Sequence, residues 1–229
     1  MEAGWFAPIR AYCERTDASF WAEPLNALSN AAFLLAAGAA VARESAGRVR
    51  DPAALGLAGL TALVGIGSFL FHTLANRWSM LADVVPIGLF IYAYFWLAMR
   101  RFFGLPTLAA AAVTLLFAGF NVGLAPALDA LTGGSAILST NGSIEYLPAA
   151  LALFGVGAGL RRGSSPAHRA AGSSILKIGA IFLLSLALRT VDAALCPSLP
   201  VGTHYLWHLL NAAVLYGLMS VAVRFRESA

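Results

Sequence analysis

The sequence predicts an all-α integral membrane protein with a bundle of seven transmembrane helices, and two observations carry this prediction. Hydrophobic residues make up 59% of the 229-residue chain, whereas charged residues make up only 11%. Soluble domains carry roughly 25% charged residues, so a soluble chain of this composition lacks the polar surface to cover itself. Apolar runs recur along the whole sequence, and each is close to the ~20 residues that a helix needs to cross a bilayer. The composition therefore indicates that most of the chain lies within a lipid bilayer.

The apolar runs, taken in chain order, give the seven predicted helices. Each is expected to be helical because backbone groups in lipid must be paired within their own segment. In the fifth run the apolar pattern is weakened by Glu145 and Pro148 in its first turns. The predicted spans are Leu25–Ala42, Ala53–Phe71, Met80–Met99, Leu105–Leu124, Ile144–Leu160, Ser174–Leu195 and Val201–Val223, all within a single domain over residues 1–229.

The distribution of arginines predicts the orientation of the chain. Alternate connections between the helices differ in positive charge, with ten arginines on one side and three on the other. Because cytoplasmic loops carry the excess of Lys and Arg, the N-terminal segment 1–24 is predicted to be outside and the C-terminus inside, which requires an odd number of spans. The richer set is Arg43, Arg48, Arg50, Arg100, Arg101, Arg161, Arg162, Arg169, Arg224 and Arg226, and the other is Arg10, Arg15 and Arg77.

The composition also indicates a compartment. The chain is rich in Ala and Arg and has a single lysine, Lys177, a pattern typical of a bacterium with a GC-rich genome. We therefore expect a multi-pass protein of a bacterial cytoplasmic membrane, with the lipid bilayer as its main partner. The net charge of +4 is explained by topology, so no nucleic-acid partner is expected. The oligomeric state does not follow from the sequence.

The predicted helices contain eight ionisable residues. Lys177 lies near a cytoplasmic end, and the other seven all fall in the outer half of the membrane. Such residues are costly in lipid and usually mark function, and accidental placement would not favour one side. A transporter would need polar residues through the full depth of the membrane, and the inner halves of the second, fourth and seventh helices lack them. We therefore expect a localised site. The seven residues are His72, Asp83, Glu145, Arg189, Asp192, His204 and His208.

His204 and His208 form an i, i+4 pair in the sequence HYLWH. On a helix these side chains lie on one face, which suits two imidazoles on one zinc ion. Two solvated histidines would be the simpler interpretation on a soluble helix, but in lipid each ring nitrogen needs a partner. His72 is the other histidine of the predicted helices, whereas His168 lies in a cytoplasmic loop and is expected to be solvated. Three histidines with an open fourth position are typical of catalytic zinc.

Two residues near His72 each allow two interpretations. Ser68 shares the helix face of His72 in GIGSFLFH, or it is a small residue that permits close helix packing. Asp83 follows His72 by eleven residues and either belongs to the same site or serves as a helix N-cap or an ion-pair partner of Arg77. The residues alone leave both alternatives open.

The N-terminal segment YCERTDASFWAEPLN is acidic and aromatic. Glu14, Asp17 and Glu23 offer the oxygen ligands that calcium prefers, and they equally fit surface carboxylates paired with Arg10 and Arg15. Calcium is therefore one of two interpretations for this segment.

The outer end of the sixth helix carries the sequence RTVDAALC. Arg189 and Asp192 form an i, i+3 pair that is expected to be a structural ion pair. Cys13 and Cys196 are both predicted to face an oxidising compartment, so a disulfide is favoured over two unpaired thiols.

Together, YCER, AEPLNALSN, GIGSFLFH, the following Asp83, RTVDAALC and HYLWH resemble the alkaline ceramidase family. That family belongs to a wider group of seven-helix membrane hydrolases that includes the adiponectin-receptor-like proteins. The motifs run from residue 12 to residue 208, so the resemblance covers nearly the whole chain. It implies zinc bound by His72, His204 and His208, and it implies that Ser68 and Asp83 are catalytic residues.

The resemblance also implies a structural disulfide between Cys13 and Cys196 and a calcium site that draws on Glu14 and Glu23. At the calcium site the chain departs from the family. An Asp-Trp pair before the cysteine is Ala-Tyr here, and an expected Asn is Thr. Asp17 would have to compensate for these changes.

The activity implied by the resemblance is zinc-dependent hydrolysis of an amide bond in ceramide or a related N-acyl lipid. Asp83 would transfer the proton of the attacking water to the leaving amine, and Ser68 would stabilise the oxyanion. Two alternatives remain open, a hydrolase of a different acyl lipid and a lipid receptor or sensor that holds zinc without enzymatic activity.

Overall fold

The computed structural model describes residues 4–47 and 50–228, and within these ranges it is helical and contains no β-strand. Pro8 and Asn76 form an isolated antiparallel bridge. Seven helical stretches are long and apolar enough to cross a membrane, which confirms the prediction of an all-helical chain with seven spans. The orientation of the termini stays a prediction, and Arg48, one of the arginines on which it depends, lies outside the described residues together with residues 1–3.

Proline, glycine and capping residues set the ends of the helices. Helices α1 and α2 together form the first apolar span, and the 3₁₀ helix together with α7 forms the fifth. The elements are α1 (Pro24–Ser29), α2 (Ala31–Ala46), α3 (Pro52–Leu74), α4 (Arg77–Arg101), α5 (Thr107–Thr132), α6 (Ala136–Ser139), a 3₁₀ helix (Ser143–Tyr146), α7 (Leu147–Arg161), α8 (Pro166–Leu195) and α9 (His204–Ser228).

Two helices extend furthest beyond their predicted spans, because their ends are set by local backbone chemistry rather than by hydropathy. Helix α8 begins at Pro166 instead of Ser174, since proline fits the first turn of a helix. Helix α5 continues past Leu124 to Thr132 and ends at Gly133, which has a φ of 69°. Glycine adopts this left-handed conformation readily and commonly ends helices.

Helix α9 begins later than predicted, at His204 instead of Val201. The carboxylate of Asp192 accepts hydrogen bonds from the backbone N–H groups of Thr203 (2.6 Å) and His204 (3.0 Å). These N–H groups have no partner inside the helix, so a carboxylate from the end of α8 fixes where α9 starts. Gly202 precedes this turn with a φ of 64°.

One compact unit of the fold lies within Met1–Phe90 and Val191–Tyr216. Its core includes Phe33, Val64 and Ala212, with Ile87 and Leu215 packed against them. This unit contains the predicted catalytic residues, metal ligands and cysteines, whereas Glu145 and Arg189, two of the seven ionisable residues of the predicted outer half, lie in the second unit. The single-domain organisation stays a prediction.

A second compact unit lies within Ile91–Thr190 and Gly217–Ala229. It contains His168, which is half-buried rather than solvated as expected. The two ring nitrogens of His168 lie 2.5 Å from the hydroxyl of Ser165 and 3.1 Å from the carbonyl oxygen of Phe102. His168 therefore has its own structural partners and takes no part in the histidine cluster described below.

Candidate metal centre

Three histidine side chains come together in the first unit. His72 lies in the last turn of α3, and His204 and His208 lie in the first turns of α9. The ring centroids are 5.1 Å apart for His72 and His204, 4.8 Å for His72 and His208, and 4.6 Å for His204 and His208. One nitrogen from each ring lies within 4.8 Å of the others, and all three residues are at most 2% exposed. The geometry suits a single metal ion.

The hydrogen bonds of His72 leave one of its nitrogens for a metal. The Nδ1 atom lies 2.6 Å from Oε2 of Glu23, whereas Nε2 is buried and makes no hydrogen bond. An unsatisfied buried polar atom costs about 1–3 kcal/mol. Metal-bound histidines almost always donate their other ring N–H to a carboxylate or another acceptor. His72 therefore has the arrangement expected of a metal ligand.

His208 has a similar partner on its Nδ1 atom. That atom lies 2.7 Å from the hydroxyl oxygen of Ser29, and the same hydroxyl lies 2.9 Å from the carbonyl oxygen of Asn26. Ser29 has a single proton, which it donates to Asn26, so the ring donates its Nδ1–H to Ser29. This tautomer places the lone pair of His208 on Nε2, the nitrogen that a metal would use.

Glu23 is a buried carboxylate held by three donors. Its Oε1 atom lies 2.5 Å from Nε of Arg15, and its Oε2 atom accepts a hydrogen bond from Asn26 (3.0 Å) as well as meeting His72. Burial raises the pKa of Glu23, but the hydrogen bonds from His72, Arg15 and Asn26 outweigh burial and lower the pKa below its ordinary value. Glu23 therefore stays a carboxylate and accepts the Nδ1–H of His72.

The N-terminal segment is joined to the end of α8 and to the loop that follows it by a hydrogen bond and a disulfide. Cys13 and Cys196 form a disulfide, which confirms the pairing implied by the resemblance. The backbone N–H of Cys13 also donates to the fully buried Asp192 carboxylate at 3.3 Å. A Cβ on Gly202 would lie 3.0 Å from the Cβ of Cys13 and would collide with Asp192, so this close approach requires a glycine.

Tyr12 covers the histidine cluster from the N-terminal segment. Its ring stacks on His204 with a centroid distance of 3.6 Å and an interplanar angle of 15°. The same ring lies 5.2 Å from the ring of His72. Tyr12 therefore restricts the ring orientation of His204 in the way that Glu23 and Ser29 restrict the other two histidines.

Ser68 and Asp83 are brought to one helix crossing by a glycine. A Cβ on Gly67 would lie 2.6 Å from the carbonyl carbon of Ala82 and 3.1 Å from the backbone nitrogen of Asp83, so the backbones of α3 and α4 touch there. Ser68 and Asp83 are both buried, and the Ser68 hydroxyl lies 3.5 Å from Nε2 of His208. The close packing at this crossing depends on Gly67. Both interpretations of Ser68, packing and catalysis, stay open, and its catalytic role stays a prediction.

Asp83 is not a helix N-cap, because it lies inside α4. The start of that helix is capped by Asn76, whose side-chain oxygen accepts a hydrogen bond from the backbone N–H of Ser79 at 3.1 Å. The N-cap alternative for Asp83 is therefore wrong, and its catalytic role stays a prediction.

The three carboxylates expected at a calcium site are used in other ways. Glu14 accepts hydrogen bonds from the backbone N–H groups of Leu25 (2.7 Å) and Asn26 (2.8 Å) at the start of α1. Asp17 is exposed, and hydrogen bonds from the side chain and the backbone N–H (2.7 Å) of Ser19 lower the pKa of its carboxyl. Within residues 4–47 and 50–228, the three histidines form the only group of three or more His, Cys, Asp or Glu side chains that lie close enough to share an ion. Glu14, Asp17 and Glu23 therefore do not fit a calcium site.

Two comparisons with known proteins bear on the family of the chain. A search of the curated proteins found no match. The family model described as Ceramidase matches residues 11–228, which is nearly the whole chain and includes the histidine cluster with Ser68 and Asp83. This match supports an amide hydrolase that acts on a ceramide-like lipid. The chain belongs to the ceramidase family.

Proposed function

We propose that the protein is a zinc-dependent amide hydrolase that releases a fatty acid from ceramide or a related N-acyl lipid in the membrane. The observation that carries this proposal is the buried cluster of three histidines, in which partner residues orient the rings. Neutral imidazole nitrogens are ligands that zinc prefers, and three of them leave a fourth position open, as in catalytic sites. The family match supports the reaction class.

Each residue of the site has its own role in the proposed reaction. When bound by His72, His204 and His208, zinc would supply a Lewis acid that lowers the pKa of water to about 7. Asp83 accepts the proton of the attacking water on a carboxylate oxygen and returns it to the leaving amine nitrogen. The hydroxyl of Ser68 donates a hydrogen bond to the amide oxygen as negative charge develops there. The products are a fatty acid and a long-chain amine.

The substrate of this reaction is a membrane lipid, which suits a site built on apolar helices. Lateral entry from the bilayer would bring the amide bond to the histidines without exposing the acyl chain to water. From the arginine distribution we place the site toward the outer side of a bacterial cytoplasmic membrane.

The proposal is tested by measuring bound zinc and lipid hydrolysis on the same preparation. The full chain is purified in detergent, its metal content is determined, and fatty-acid release from a fluorescent ceramide is followed with and without a zinc chelator. We expect stoichiometric zinc and release that the chelator abolishes. In His208→Ala, zinc and activity should be lost together, whereas His168→Ala should keep both because His168 lies outside the cluster.

Each of the other outcomes would change the proposal in a different way. An active His208→Ala enzyme without zinc would contradict the proposed chemistry. Stoichiometric zinc without release from ceramide, but with release from another acyl lipid in a panel, would keep the chemistry and change the substrate. Zinc without hydrolysis of any lipid would favour a receptor or sensor. Folded protein without zinc would overturn the metal centre.

A further inference from the structure

A buried arginine lies at the centre of the N-terminal segment. Arg15 is 7% exposed, although arginine is almost never buried without partners. Its Nε atom donates to Glu23, and its terminal nitrogens donate to the carbonyl oxygens of Asp17 (3.3 Å), Ser19 (3.3 Å), His72 (2.8 Å) and Thr73 (3.5 Å). These partners are one carboxylate and four carbonyls, two in the N-terminal segment and two at the end of α3, so the guanidinium cross-links the two stretches.

This set of partners is the kind that a hard cation takes. Calcium binds carboxylate and backbone carbonyl oxygens, usually six to eight of them. Here a guanidinium stands among such oxygens with its positive charge 2.5 Å from the Glu23 carboxylate. A divalent cation brought to the same carboxylate would be repelled by Arg15. The guanidinium of Arg15 therefore supplies a positive charge where the Glu23 carboxylate and the backbone carbonyl oxygens meet.

Arg15 contacts His72 by two routes. It donates directly to the backbone carbonyl of His72, and it binds the Glu23 carboxylate whose other oxygen meets the Nδ1 atom of the His72 ring. One guanidinium therefore holds the backbone of this histidine directly and its ring through Glu23. Loss of Arg15 would leave Glu23 with two of its three partners, Asn26 and His72, and would remove the one that fixes its Oε1 atom.

We propose that Arg15 is a positioning residue that takes the place of a bound calcium ion, so that the histidine centre holds its metal without a second metal ion. The proposal rests on the proposed function in one respect, which is that His72 binds a metal. It also explains how the segment remains ordered although Glu14, Asp17 and Glu23 do not form a calcium site.

The first test uses the unmodified protein. The purified chain is analysed for zinc and calcium, and its thermal unfolding is followed in calcium-free buffer and in millimolar Ca²⁺. We expect bound zinc, no bound calcium and the same Tm in both buffers. Stoichiometric calcium, or a Tm that rises with Ca²⁺, would overturn the proposal. If zinc is absent, the proposed function fails, and the two calcium measurements still decide whether Arg15 replaces calcium.

The second test changes the charge at Arg15. Arg15→Met removes the charge and keeps an apolar stem, Arg15→Lys keeps a charge, and Arg10→Met is the matched control because Arg10 is exposed in the same segment. Zinc affinity is measured by competition with a chromophoric chelator. Losses of partners of metal ligands typically cost about 10–100-fold in metal affinity. We expect such a loss for Arg15→Met, a smaller loss for Arg15→Lys and none for Arg10→Met.

The visible spectrum of the cobalt-substituted protein distinguishes positioning from general destabilisation. If Arg15 positions His72, the ligand-field bands of folded Arg15→Met should shift relative to those of Arg10→Met. Folded Arg15→Met with unchanged zinc affinity and an unchanged cobalt spectrum would refute the positioning role. If Arg15→Met does not fold, Arg15→Lys and the calcium measurements on the unmodified protein decide the question.

Discussion

Replacing Gly67 with alanine should damage both the stability and the activity of the protein. The added Cβ would lie 2.6 Å from the carbonyl carbon of Ala82, and a backbone carbonyl cannot rotate away as a side chain can. Overpacking of a well-packed interior costs about 1–3 kcal/mol, and we expect the upper end, about 3 kcal/mol. For a chain of this size such a loss lowers Tm by about 6–12 °C.

The same helix offers a matched control. A Cβ on Gly59 would meet nothing within 4 Å, so Gly59→Ala should be neutral or stabilise α3 by about 0.5–1 kcal/mol, since alanine favours the helix. Thermal unfolding of both variants in one detergent measures the difference. Activity adds a second readout, because a shift of about 1 Å between Ser68 and Asp83 can cost ~10²-fold in rate. A Gly67→Ala protein as stable and as active as Gly59→Ala would refute the close helix crossing.

Three further predictions concern single side chains. Glu23→Gln should weaken zinc binding by about 10–100-fold, because the ring of His72 loses its carboxylate partner, and an unchanged affinity in a chelator competition would contradict that role. Asp83→Asn should keep stoichiometric zinc and lower kcat by about 10²–10⁴-fold, and full activity would exclude Asp83 as the proton carrier. Asp192→Ala should lower Tm and zinc affinity together, because loss of a helix cap costs about 0.5–2 kcal/mol and the N–H groups of Thr203 and His204 lose their acceptor. An Asp192→Ala protein with an unchanged Tm would show that α9 starts without this cap.

The number and the order of the helices could be predicted because the bilayer imposes a length and an apolar composition on each span. The ends of the helices could not be predicted from the same signal. Helix α9 starts where Asp192 places a carboxylate against Thr203 and His204, and this contact is made by a different helix. Hydropathy averages over a window and carries no information on such contacts.

The histidine cluster could be expected from the sequence because i, i+4 spacing fixes two rings on one helix face. The residues that orient the rings carried no comparable signal. Ser29 lies at the end of a six-residue helix, and Arg15 lies in a polar segment where a surface ion pair was an equally good interpretation. Burial separates these cases, because Arg15 and Glu23 are almost entirely inside the protein, and burial follows only from the fold.

One continuous stretch of the chain, from Tyr12 to Ser29, contacts all three histidine rings. Tyr12 stacks on His204, Glu23 meets Nδ1 of His72, and Ser29 meets Nδ1 of His208. The disulfide from Cys13 then ties the beginning of this stretch to the loop before α9.

The stretch before the second span is therefore part of the candidate metal centre rather than a separate cap over it. The three histidines come from α3 and α9, but the orientation of their rings comes from this stretch. Metal affinity depends on ligand orientation as well as on ligand identity. Changes in this stretch should therefore act on metal retention first and on the fold of the spans second.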